Sequence, residues 1–173
     1  MNRLKRHRRK LHRDQDGAAL IEMAVVLPVL FAVGLGVIEF GNLFYGYHLI
    51  ANGVRDGARY ASGLPLGTAD NNVKCIAMTG STTGANCNAG ASTSCTTKCR
   101  VSWWNSAATI AITTTPTPND NGSGGTLYRG GDFIYTVTVT ATVPYQSLGF
   151  LGYFGLSAPT LKVAHQERLI GVR

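Results

Sequence analysis

Between Ala18 and Ile38 run 21 consecutive residues that carry a single charge, Glu22. No other stretch restricts the possible folds so strongly. At about 1.5 Å per residue, a helix of this length matches the roughly 30 Å hydrocarbon core of a bilayer. The sequence therefore predicts a membrane-spanning helix. Two details make it more than an anchor. Gly17 sits at its start, directly after a basic leader, and the Glu22 carboxylate lies inside the apolar run. An ionisable group within a membrane segment is a functional candidate by default, because solvating its charge there is costly.

The charge distribution fixes an expected orientation. The chain has a formal charge of +7, but seven of its sixteen basic residues fall in the first thirteen positions (MNRLKRHRRKLHR). A chain beginning at Ala18 would carry only +2. The basic character thus belongs to the leader, where lysines and arginines hold that end of a membrane helix in the cytoplasm. Everything after the helix is then expected outside. Cys75, Cys87, Cys95 and Cys99 all lie after it, in the compartment where disulfides persist. Two bridges are expected, with three pairings open. Zinc is the competing reading, but paired C-x-x-C units and a nearby histidine are missing.

Gly17-Ala18 followed by Glu22 resembles the processing site of type IV prepilins and pseudopilins. Several features together are similar to the TadE-like family, minor pseudopilins of tight-adherence (Flp) pilus systems. They are the Gly-Ala start, Glu22, Pro28, the Ile38-Glu39-Phe40-Gly41 exit and the Arg55/Gly57-Ala58-Arg59 segment. The likeness covers roughly residues 16–62. Met23 stands where that family usually has an aromatic residue, and Ala18 where true pilins commonly have phenylalanine. The resemblance implies cleavage between Gly17 and Ala18 by a prepilin peptidase. It implies an assembly role for Glu22, whose carboxylate would meet the new α-amino group of a neighbour. It also implies partners: pilin-like subunits and the membrane platform of a tight-adherence system, within the bacterial inner membrane. Physical chemistry adds that Pro28 removes one backbone hydrogen bond and should kink or loosen the helix. Ala32 and Gly36 form a small-xxx-small pair.

The helix is expected to continue to about residue 62. Phe40, Leu43, Tyr47, Ile50, Val54, Ala58 and Ala61 recur at helical spacing, and His48, Asn52, Arg55, Arg59 and Ser62 mark a polar face. Tyr45 and Tyr47 suit a membrane interface, Asp56 and Arg59 are spaced to pair, and Gly63 with Pro65 ends the pattern. Residues 63–99 read as a cysteine-containing loop region. Strand signals follow at 100–104, 108–115, 133–143 and 160–170, with a turn-rich loop at 115–126. In 133–143, Phe133, Tyr135, Val137, Val139, Ala141 and Val143 face one way and four threonines the other. Residues 145–159 (YQSLGFLGYFGLSAP) are apolar and too short for a second span. They read as a buried connection or, preferably, as a surface touching lipid or a partner subunit.

The predicted class is an α+β membrane protein: one long N-terminal helix, half in lipid and half packed on a small antiparallel sheet. Its divisions are 1–17 (leader), 18–62 (helix), 63–99 (cysteine loop) and 100–173 (β domain). No phosphate-binding, hydrolase or metalloprotease motif is present, and Asp120-Asn121-Gly122 lacks the full ligand spacing of a calcium loop. The chain is read as a non-enzyme without cofactor or metal and without a nucleic-acid partner. The alternatives are an uncleaved, membrane-anchored extracytoplasmic binding protein, a nucleic-acid binder using residues 3–13, and a hydrolase.

Overall fold

The computed structural model describes residues 16–68, 71–82, 95, 98–104, 108–129 and 131–170. The leader up to residue 15, and Cys87 with the surrounding residues 83–94, lie outside the described residues. The elements are α1 (Asp16–Ser62), α2 (Asn71–Thr79), β1 (Thr109–Pro118), β2 (Phe133–Pro144), α3 (Phe150–Tyr153) and β3 (Thr160–Arg168). Two compact units divide the chain, Met1–Gly41 and Asn42–Arg173, so the boundary falls inside α1 rather than at its end.

The second unit is an antiparallel sheet in the order β1-β2-β3, packed with the C-terminal half of α1 and with α2. Its core joins Ile50, Val54, Ala58 and Ala61 of α1 to Val137, Val139, Ala141 and Val143 of β2 and to Leu161 and Val163 of β3. The alternation expected for β2 is thus observed, with its valines inward. Pro144 pairs with Thr160 at the end of the ladder. On β3 the inward positions change character along the strand. Leu161 and Val163 are buried, whereas His165 and Glu167 lie half-exposed and contact each other at 3.0 Å. That substitution of a polar pair for apolar residues is why the strand's alternation looks irregular in sequence.

β1 runs on to Pro118 instead of stopping at Thr115, pairing through Pro116↔Tyr135 and Pro118↔Phe133. Proline lacks the N–H a central strand needs, but β1 is an edge, where that loss is harmless and blunts pairing with other chains. The loop after it is tied by Asn119, which is 2% exposed. Its amide donates to the Tyr128 and Gly131 carbonyls at 2.8 and 2.9 Å, and its oxygen accepts the Tyr128 N–H at 2.9 Å.

Two expectations are corrected. Residues 100–104 form no strand: they turn, and the rings of Trp103 and Trp104 enter the core. Residues 71–79, expected to be loop, form α2. Its nine residues bury Val73, Cys75, Ala77 and Met78, and it closes at Gly80, whose φ of 82° suits glycine after a helix C-terminus. α2 lies close against α1 because α1 presents glycine there. A Cβ on Gly53 would overlap the Ala77 carbonyl, and one on Gly57 would lie 3.1 Å from the Val73 carbonyl. Gly46 likewise leaves room for the Trp103 ring.

The inward face of α1 in this unit therefore reads Leu43, Gly46, Ile50, Gly53, Val54, Gly57, Ala58, Ala61. Tyr47, expected inward, is exposed, as is Phe40. Ser62, expected outward, is buried; its hydroxyl donates to the Arg59 carbonyl at 2.7 Å and its carbonyl accepts the Ile170 N–H at 2.9 Å.

Gly53→Ala is expected to lower the unfolding free energy by about 1–3 kcal/mol through overpacking against α2, read by denaturant unfolding of the full chain in detergent micelles. Gly41→Ala, where a Cβ meets nothing within 4 Å, should cause no loss.

Candidate functional site: the bare apolar helix and its anchor

The first unit consists, among the described residues, of the N-terminal part of α1. From Gly17 to Phe31 every side chain is exposed, including Leu20, Ile21, Val29 and Leu30 at 62–71%. α1 is long and apolar enough to cross a membrane. A surface this large and this apolar has no stable place in water and calls for lipid or neighbouring helices.

The residues singled out by sequence fall on this bare segment. Gly17 and Ala18 lie in its first turn, both exposed. A Cβ on Gly17 would meet nothing within 4 Å, so packing within the described residues does not demand glycine there. Glu22 is exposed about one turn further on, and among the described residues it has no hydrogen-bond or ion-pair partner. Pro28 sits inside a helix that runs continuously through it. It leaves the Ala24 carbonyl without its usual donor. Ala32 and Gly36 are half-buried. Glu39, further along the helix, behaves oppositely to Glu22: it is 3% exposed and engaged. Sequence reading named Glu39 only as part of the helix exit. Its burial was not visible in the pattern, because the flanking Ile38 and Phe40 are exposed.

The second unit holds its stretch of α1 by polar as well as apolar contacts. Asp56 pairs with Arg100 at 2.6 Å, not with Arg59 as its spacing suggested. Arg100 prevails because its backbone is already fixed: its N–H donates to the Met78 carbonyl at 2.9 Å, beside the end of α2. The Asn42 amide donates to the Tyr145 hydroxyl at 3.0 Å, and the Tyr145 ring meets Trp103 edge-on at 4.4 Å. The Cys95–Cys99 disulfide closes the turn that leads into Arg100 and the two tryptophans. Cys75, on α2, is disulfide-bonded as well, and Cys87 lies outside the described residues.

No reacting centre assembles from these parts. Among the described residues no three His, Cys, Asp or Glu side chains cluster as a metal site would require. The Asp120 and Asn121 side-chain oxygens already accept the backbone N–H groups of Gly122, Ser123 and Gly125.

The family model described as TadE-like protein matches residues 17–59. The N-terminal helix is TadE-like. No curated protein and no solved structure matches the chain. The TadE-like match covers both the bare segment and the glycines at 46, 53 and 57, and it excludes the sheet.

In a double-mutant cycle, Asp56→Asn and Arg100→Ala should show a coupling of about 1 kcal/mol in unfolding free energy, as for a partly screened, charge-assisted pair. Asp56→Asn with Arg59→Ala should show none.

Proposed function

We propose that this protein is a minor pseudopilin, a structural subunit that assembles or initiates a tight-adherence pilus or a related secretion apparatus. It stands in the bacterial inner membrane by a single pass, with its leader in the cytoplasm and residues 42–173 outside. Its role is structural and not catalytic. The observation that carries this reading is the apolar helical segment, exposed from Gly17 to Phe31, that bears one carboxylate without a partner among the described residues, Glu22, within a TadE-like match.

A prepilin peptidase removes the leader after Gly17. The reaction leaves a cationic α-amino group on Ala18, at the head of the apolar segment. In an array of parallel helices, Glu22 of one subunit accepts hydrogen bonds from the Ala18 ammonium of the next. A lone carboxylate in the membrane costs about 3 kcal/mol; the ion pair offsets that cost only when two helices are in register. The charge therefore opposes random packing and favours one axial offset. The platform proteins and other pilin-like subunits are the partners this arrangement requires.

N-terminal sequencing of the membrane-extracted protein should begin at Ala18. A mature chain that still begins at Met1 would favour the other reading, an uncleaved anchored protein with no pilus role. Glu22→Ala should remain resistant to alkaline extraction from membranes yet disappear from the fraction that co-purifies with pilus components. Co-purification at the wild-type level would remove Glu22 from the assembly step.

A further inference from the structure

The second unit has two chemically different poles. Its sheet lies along α1: Tyr145, just past the end of β2, bonds to Asn42, and Ile170, just past β3, bonds to Ser62. The lengths agree, since twenty helical residues rise about 30 Å and ten strand residues span about 33 Å. One pole therefore lies at Asn42, where the chain enters the unit directly from the apolar segment, and the other at Ser62.

The entry pole carries the segment 145–159. It is pinned at its base by the Tyr145 N–H donating to the Pro159 carbonyl at 3.0 Å. It contains no charged residue. Within it, α3 and the following turn hold up a cluster of aromatic and aliphatic side chains. Tyr153 is 85% exposed, Phe154 packs edge-on against both Phe150 and Tyr153, and Leu148 and Leu156 are exposed beside them. Phe44 and Tyr45 of α1, within one turn of Asn42, are exposed too. The far pole also exposes aromatics, Tyr128 and Phe133, but there they stand among Arg129, Asp132 and Arg168, with the Arg168 guanidinium over the Tyr128 ring.

We infer that residues 148–156 are a second membrane contact, an interfacial foot that sinks into the headgroup and upper acyl region. Three observations converge on lipid as the occupant. The patch is uncharged and mixes aromatic with aliphatic side chains, the composition of membrane-interface belts. It sits at the pole of the second unit marked by Asn42, the residue that follows the apolar segment in the chain. The opposite pole is charged, as a water-facing end should be. The foot rests on the reading that α1 crosses the membrane, but it adds a separate claim: residues 148–156 themselves enter the bilayer interface.

The test places one additional tryptophan in the full-length protein, reconstituted in liposomes whose acyl chains are brominated at a shallow position. Tyr153→Trp and Leu156→Trp, both at exposed sites, should gain blue-shifted emission that bromine quenches. Tyr128→Trp, at the far pole, should gain emission that is not quenched. Phe31→Trp reports on the span. If Phe31→Trp is quenched while Tyr153→Trp and Leu156→Trp are no more quenched than Tyr128→Trp, the foot is overturned and the patch belongs to a protein partner. If Phe31→Trp is itself unquenched, the membrane reading of α1 fails, and the foot fails with it.

Discussion

An apolar helix that its own fold leaves uncovered must find another solvent, and this requirement organises the whole chain. From Gly17 to Phe31 no side chain is sheltered. The same helix, twenty residues later, is the central strut of a folded domain, with Ile50, Val54 and Ala58 fully buried. One element therefore serves two environments. What changes along it is not hydrophobicity alone but the size of the residues facing inward. The bare half exposes its aliphatic side chains on every side, which suits lipid. The covered half presents glycine and alanine on one side, which suits the close approach of another backbone.

That close approach explains how a small domain holds together. Among the described residues of the second unit there are three strands and two short helices beside α1, and a core built from them needs a firm spine. α2 supplies part of it by lying against Gly53 and Gly57. The two tryptophans supply volume further along the same face, with the Trp103 ring seated over Gly46. Arg100, at the end of a disulfide-closed turn, reaches back to Asp56 and joins the two. Each of these contacts is specific to α1, so the helix is not merely a stalk on which the sheet is mounted.

Much of this was legible in the sequence because periodicity reports burial directly. The 21-residue apolar run, the alternation of β2 and the helical spacing from Ile50 to Ala61 each predicted an element that is present. What escaped was carried by contacts, not by pattern. α2 is only nine residues long and lies in a stretch whose overall composition reads as loop. Its helical character depends on a glycine-lined seat on a different element, and no local window contains that information. Trp103 and Trp104 read as strand because aromatic residues favour strands; the core took both rings from a turn instead. Asp56 had a plausible partner one turn away and a better one 44 residues away, and only the fold could decide between them. Glu22 stood out in sequence because it interrupts an apolar run. The burial of Glu39 could not, since its neighbours give no sign of cover.

The sharing of α1 between the two units has a consequence for severing the protein. Asn42 to Ser62 contribute Ile50, Val54, Ala58 and Ala61 to the core of the second unit, together with the Asn42 and Asp56 anchors. A protease that clips after Ser62 would strip the sheet of its backing and leave an unfolded remnant. Only a nick ahead of Asn42 would release the second unit whole, and there the backbone is wound in an uninterrupted helix, the conformation that proteases grip least well.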